Sequence, residues 1–309
     1  MAVLVVGGSG YVGLHLLKAL AARYSPENIA YTYNSHPPPL SEQLGVGYRV
    51  DLTTGQGLQD LALSVHPRVV VNCAAMSVPR DCEENPQKAM AVNVPRALLR
   101  YLASLQTGAP PLLVHFSTDQ VYEGIKQFYV ETDETKPVNV YGLSKVEAEF
   151  LIRSTWRNYA ILRSSIIYGP QPVVHVQKPL PVQWMDMALS ARKPVDFFHD
   201  EYRCPIFIGD VVKVVALLIT LSEQSGGAMQ LVLNLGGPER LSRAEMAQVV
   251  ARVKGYHPSL INQVPASSVD RGVASPADIS MDVEKLRSTL GICLTPFDEG
   301  VRQTLMLAA

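Results

Sequence analysis

The sequence is poor in the features that mark a chain for a membrane, a nucleic acid or a metal. Cysteine is scarce, with Cys73, Cys82, Cys204 and Cys293 scattered through 309 residues. Their spacing fits neither a zinc site nor a dense disulfide framework, so they read as thiols in a reducing compartment. An excess of one charge is lacking too. The 27 basic and 28 acidic residues leave a formal charge of −1 with no long single-sign run, which argues against a nucleic-acid or membrane-surface partner. No apolar run approaches the roughly 20 residues of a membrane helix, and no basic segment leads into an apolar one as in a secretory signal. Internal repeats and low-complexity tracts are also missing. The expectation is a cytoplasmic protein, without metal, that handles small molecules.

What the chain has is apolar content, 47% of its residues, enough for one large core with a smaller one appended. Val3-Leu4-Val5-Val6 reads as a buried strand, and Leu14, Leu17, Leu20 and Ala21 follow at helical spacing. The alternation continues with strands expected at 29–33, 47–50, 68–72, 112–116 and 159–163, and helices at 56–65, 87–105 and 141–154. This pattern predicts an α/β fold, a Rossmann-type doubly wound parallel sheet covered by helices on both faces. After about Ser165 the texture changes, and prolines gather at Pro170, Pro172, Pro179 and Pro181. Residues 166–309 are therefore expected to form mainly a smaller lobe, with segments near 205–235 returning to the sheet. Such a lobe would close a cleft over the C-terminal strand ends, where open α/β sheets take ligands.

Between the first strand and first helix stand Gly7, Gly10 and Gly13, with Tyr11 and Val12 inside the turn. A glycine turn there lets the backbone approach a diphosphate, and the helix amides and dipole face its charge. The spacing differs from G-x-G-x-x-G, but its place at the first βα turn points to a dinucleotide and to an NAD(P)-binding domain over residues 1–165. At the end of the second strand, where an acidic residue would grip the ribose hydroxyls, the chain reads Asn34-Ser35-His36. The missing carboxylate favours NADP(H) over NAD(H), although no arginine sits in that stretch. Asp51-Leu52, past the third strand, stands where a carboxylate meets adenine, and a helix cap is the other reading of Asp51.

Tyr141 and Lys145 lie four residues apart on one face of an expected helix. An ammonium at about 4 Å in an effective dielectric near 20 is worth roughly 4 kcal/mol. That is enough to draw a phenol from its ordinary pKa of about 10 toward the range useful for proton transfer. Strand five ends in Ser117-Thr118-Asp119-Gln120-Val121, and strand four in Asn72-Cys73-Ala74-Ala75, whose small residues leave room for a cofactor.

Together these features resemble the extended short-chain dehydrogenase/reductase family and, within it, the dTDP-4-dehydrorhamnose reductases. The likeness runs through Gly7 to Gly13, Ser117 to Val121, Asn139 to Lys145, Arg163 to Gly169, Pro205 to Asp210 and Arg271 to Leu286. It implies a nucleotide-sugar substrate whose carbonyl Thr118 holds and Tyr141 protonates, while Lys145 binds the nicotinamide ribose and lowers the pKa of the phenol. It also implies cofactor contacts from Cys73, Ala74, Ala75, Ser117, Ser164 and Ile166, and an Asn93 that braces the site through the backbone. On the substrate side it places Met76, Ser77, Asp119, Gln120, Tyr168, Arg203 and Arg271, the two arginines as cations for a nucleotide diphosphate.

The sugar-facing positions depart from the reductase pattern: Ile166 replaces a tryptophan, Gln120 a tyrosine, and Gly272 a proline. The chain is also similar to the regulatory β subunit of methionine adenosyltransferase, which has an aliphatic residue at the Ile166 position, binds NADP and works through a partner enzyme. A catalytic reductase and a regulatory subunit are thus the two expectations, with an NAD-holding epimerase or dehydratase a third. Whether the chain forms a homodimer or joins a partner enzyme is open at this stage.

Overall fold

The computed structural model describes residues 2–39, 42–105, 108–176, 180–225 and 228–306; Pro179 of the proline cluster lies outside them. The first half alternates β1 (Ala2–Val6), α1 (Tyr11–Ala21), β2 (Ile29–Tyr33), β3 (Val46–Arg49), α2 (Leu58–Ser64) and β4 (Pro67–Asn72). Then come α3 (Pro79–Glu84), α4 (Pro86–Asn93), α5 (Arg96–Ser104), β5 (Leu112–Thr118), α6 (Val140–Thr155) and β6 (Tyr159–Ser164). These strands and a later one, β11, form a seven-stranded sheet in the order β11-β6-β5-β4-β1-β2-β3, every pairing parallel. The order reverses between β1 and β4, which opens a crevice at their C-terminal ends.

Both faces of the sheet are apolar because the strands are apolar at successive positions. Val3, Val5, Val69, Val71, Val114 and Leu162 pack toward α1 and α8, while Leu4, Val6, Val70, Leu113 and Ile161 pack toward α2, α5 and α6. Burial on both faces is what a parallel sheet between helical layers requires.

After β6 the chain leaves the sheet through β7 (Ile167–Tyr168), α7 (Pro181–Ser190), β8 (Val195–Phe198), β9 (Tyr202–Arg203) and β10 (Ile206–Phe207). It returns through α8 (Ile208–Ser225), which packs against α1, and β11 (Gln230–Leu235), which pairs with β6. The remainder, β12 (Leu241–Ser242), α9 (Arg243–Lys254), β13 (Ile261–Val264), α10 (Glu284–Leu290) and α11 (Phe297–Leu305), adds short pairings: β12 with β9, and β13 with β8.

Two local expectations are corrected. The single helix expected over 87–105 is two, α4 and α5, broken at Val94-Pro95. Pro95 has no amide hydrogen to donate and forces Val94 out of the helical region, to φ −86° and ψ 112°. The stretch at 79–84, read as loop, is the short helix α3, with Pro79 in its first turn.

Candidate active site

The turn between β1 and α1 has no space for side chains on its inner side. Gly7 has φ +77°, and a Cβ there would stand 2.8 Å from the Ala74 backbone, so glycine is required both for conformation and for the approach of β4. A Cβ at Gly13 would meet the Gly7 carbonyl at 2.5 Å, which fixes the close seat of α1. Outward the turn is free: at Gly10 a Cβ would meet nothing nearer than the Gly7 carbonyl at 3.4 Å, and Gly10 heads α1 without a side-chain cap. A helix N-terminus with free amides over a bare glycine fits a diphosphate. Tyr11 turns toward the second lobe, donating its hydroxyl to the Pro170 carbonyl at 3.1 Å, and Val12 packs against the core.

Asn34, Ser35 and His36 emerge exposed from the end of β2. Beside them stands a residue that the sequence reading did not place there. β3 pairs with β2 so that Arg49 lies opposite Tyr33, and the Arg49 Nε donates to the Asn34 carbonyl at 3.2 Å. A guanidinium therefore borders the strand end where a ribose 2′-phosphate would sit, delivered by strand register rather than by the local stretch. Asp51 does not begin a helix; its carboxylate accepts from the amide and hydroxyl of Thr53, at 2.8 and 2.6 Å, which lowers its pKa. Leu52 packs on the core beside it.

The C-terminal end of β5 meets the first turns of α6. Asn139 caps this helix, accepting from the Gly142 amide at 2.9 Å. Tyr141 is 8% exposed, and its phenol is hydrogen-bonded to the Thr118 hydroxyl. Lys145, 2% exposed, donates from Nζ to the Phe116 carbonyl at 2.8 Å. Here the structure corrects the expected tuning. Burial pushes the Tyr141 phenol well above its ordinary pKa, the Thr118 bond pulls weakly the other way, and Lys145 is not among the groups that shift it. Lys145 itself is pushed down to about 8, because burial disfavours its charge. Desolvation outweighs a neighbouring charge in so closed a place.

Around this pair the polar groups form a continuous frame. Asn93, at the end of α4, accepts from the Met76 amide at 2.7 Å and donates to the Met76 carbonyl at 3.0 Å and to Ser144 Oγ at 2.8 Å. It thus ties the loop after β4, carrying Cys73, Ala74 and Ala75, to α6. Ser117 points away from the cleft, donating to Glu149 at 2.6 Å. Glu149 in turn holds Arg163 through two nitrogens, the shortest contact being 2.8 Å.

Several residues expected on the substrate side are engaged within the protein. Tyr168 is 1% exposed and packs between Phe207 and Phe297, a core residue rather than a wall of the cleft. Asp119 is buried, accepting from Thr118 at 3.2 Å and from Ser165 at 2.9 Å. The Gln120 side chain accepts from Asn139 at 2.8 Å, bracing the helix cap. Ser164 donates to the Ser165 carbonyl at 2.9 Å, and Ile166 packs, half-buried, on the core. Arg203 is buried, with its nitrogens on backbone carbonyls and Ser275. Arg271 pairs with Glu201 at 2.6 Å. Met76 is half-buried and Ser77 exposed at the rim.

A family model described as the RmlD substrate binding domain matches residues 1–308. The chain belongs to that family. Among its curated relatives is a protein of Haloferax volcanii named as a probable low-salt glycan biosynthesis reductase, 27% identical over 94% of this chain and 93% of that one. The dTDP-4-dehydrorhamnose reductase of Sinorhizobium fredii is 28% identical over 81% and 82%, and the methionine adenosyltransferase 2 subunit beta of Mus musculus 27% identical over 85% and 79%. Of solved structures, a hypothetical dTDP-4-dehydrorhamnose reductase from Sulfolobus tokodaii matches with a TM-score of 0.78 and 27% identity, covering 97% of this chain and 99% of that one. The dTDP-4-dehydrorhamnose reductase of Bacillus anthracis in complex with NADP shares the fold, with a TM-score of 0.79 at 19% identity over 99% and 100%.

Within this RmlD-family chain no helix of the described residues is long and apolar enough to cross a membrane. Among the same residues no cluster of metal-ligating side chains occurs.

Proposed function

We propose that this protein is an NADP(H)-dependent reductase of a keto group on a nucleotide-sugar-like substrate. The observation that carries the reading is the bonded pair of hydroxyls, Thr118 and Tyr141, at the C-terminal end of β5, with Lys145 one helical turn along. The glycine turn fits the cofactor's diphosphate, Arg49 and Asn34 border the 2′-phosphate position, and the small residues 73–75 leave space for the nicotinamide. When bound, the reduced nicotinamide supplies a hydride to the carbonyl carbon.

The chain's own residues do the rest. Thr118 donates to the substrate carbonyl oxygen and orients it, and Tyr141 gives that oxygen its proton as the C=O π bond breaks. A phenol whose pKa is raised by burial is fully protonated at neutral pH, which is the form a general acid needs. Lys145 holds the ribose hydroxyls and restores the phenol's proton from solvent. The reductase named in Sinorhizobium fredii supports this reading of the substrate class.

The test is NADPH oxidation by the purified protein with dTDP-4-dehydro-6-deoxy-L-mannose, wild type beside Tyr141→Phe. Loss of NADPH absorbance in the wild type alone supports the reading, and turnover that survives in the variant refutes it. The likeness to methionine adenosyltransferase 2 subunit beta favours a second reading, an NADP-binding regulatory subunit. Tight NADP binding without turnover, together with co-purification of an adenosyltransferase, would select that reading.

A further inference from the structure

The substrate side of the cleft holds a guanidinium that neither the sequence motifs nor the reading above employs. β12 runs antiparallel to β9 with Leu241 opposite Arg203 and Ser242 opposite Tyr202. The next residues in that register, Arg243 and Glu201, therefore face each other. Glu201 is buried and already bound by Arg271 at 2.6 Å. The Arg203 guanidinium donates to the carbonyls of Tyr202, Ala277 and Pro276 and to Ser275 Oγ, and so is saturated. Arg243, the first residue of α9, is half-buried and makes no side-chain hydrogen bond or ion pair among the described residues.

Its surroundings are cationic. Arg203, Arg271, Glu201 and Asp119 are the charged groups it feels, so three guanidiniums share two carboxyls, and burial with the Arg203 charge presses Arg243 down to about 10. Burial also raises the pKa of Asp119, which weakens even that compensation. Fold stability does not explain such a residue, since a half-buried cation beside like charges and without a partner is unfavourable on its own. Asp119 adjoins Thr118, so the unpaired fork stands on the border of the catalytic hydroxyls. A guanidinium presents paired donors that match phosphate oxygens.

We propose that Arg243 is the anion anchor of the substrate cleft and binds the diphosphate of the substrate, an inference that rests on the nucleotide-sugar reading above. Arg203 shapes this site from behind without reaching the ligand, and Arg271 is oriented by Glu201 along its edge.

The test uses protein saturated with NADP, so that the glycine turn is filled, and titrates inorganic pyrophosphate by calorimetry into wild type, Arg243→Gln and Arg243→Lys. The expected result is salt-dependent binding by the wild type, weakened about ten- to a hundred-fold in Arg243→Gln and less in Arg243→Lys. NADP affinity should stay unchanged and thermal stability should be equal or higher in Arg243→Gln, which shows that the variant is folded. Equal pyrophosphate affinity in Arg243→Gln, or no binding by the wild type, overturns the proposal. If Arg243-dependent pyrophosphate binding is found but no keto sugar is reduced, the anion site stands and the reductase reading falls. Reduction with an unchanged KM in Arg243→Gln would do the reverse.

Discussion

Asn93 and Ser144 share a hydrogen bond of 2.8 Å between two helices, and Ser144 passes it on to the Tyr141 carbonyl at 2.7 Å. Because Asn93 also holds both backbone groups of Met76, one amide side chain sets the distance between the loop after β4 and the catalytic turn of α6. Asn93→Ala leaves these buried groups unpaired, at a cost of about 1–3 kcal/mol in stability. Turnover with NADPH should fall by about ten- to a hundred-fold through misplacement of Tyr141. Denaturant unfolding and steady-state kinetics on the same preparation check both. Unchanged turnover in a destabilised variant would show that the clamp does not position the phenol.

Glu149 lies one turn beyond Lys145 on α6 and joins three elements, accepting from Ser117 on β5 and from Arg163 on β6. Both members of the ion pair are buried, with side chains 3% and 4% exposed. Glu149→Gln keeps the shape but leaves the Arg163 charge uncompensated, and should destabilise the fold by about 3–5 kcal/mol. The double variant Glu149→Gln/Arg163→Met should recover part of that loss, because it removes the stranded charge as well. Urea midpoints for the four proteins of the cycle test this coupling; strictly additive effects would contradict it.

The features legible in the sequence are those that depend on local spacing. Val3 to Val6 followed by Gly7 to Gly13 can be little else than a strand, a bare turn and a helix, and the β-branched run before Asn72 marks a central strand. What the sequence hides is set by register between distant segments. Arg49 reaches Asn34 only because β3 pairs with β2, and Arg243 faces Glu201 only because β12 pairs with β9. Tyr168 shows the converse. It sits inside a family motif and so reads as a substrate contact, yet folding places it against Phe207 and Phe297 in the core. The helix expected over 87–105 failed for a local reason that was visible, the proline at 95.

Lys145 makes the stability of the free protein depend on pH in a specific direction. Its folded pKa, about 8, lies below the model value of 10.5. Between those values the unfolded chain binds more protons than the folded one, so stability rises with pH across that window. Below about pH 8 the full penalty of burying the ammonium is present, on the order of 3 kcal/mol. Lys145→Met should therefore be more stable than wild type at pH 7 without cofactor, and the difference should shrink as pH rises toward 10. Melting curves of the two proteins from pH 7 to 10 measure it. A gap that widens with pH would mean that the folded ammonium is stabilised rather than strained.

Arg49 gives the cofactor preference a single adjustable contact. With Asn34, Ser35 and His36 exposed and no carboxylate among them, nothing at the end of β2 repels a 2′-phosphate, and the Arg49 guanidinium, held by the Asn34 carbonyl at 3.2 Å, supplies the attraction. A charge-assisted contact of this kind contributes about 1.5–3 kcal/mol, or roughly ten- to a hundred-fold in affinity. Arg49→Ala should weaken 2′,5′-ADP by that factor and leave 5′-AMP unchanged, and Arg49→Glu should invert the preference by repulsion. Because Arg49 is exposed, its contribution should fall as salt rises. Calorimetric titration of both nucleotides at two ionic strengths separates the cases: equal weakening of 2′,5′-ADP and 5′-AMP would mean that Arg49 acts on the shape of the strand end and not on the phosphate.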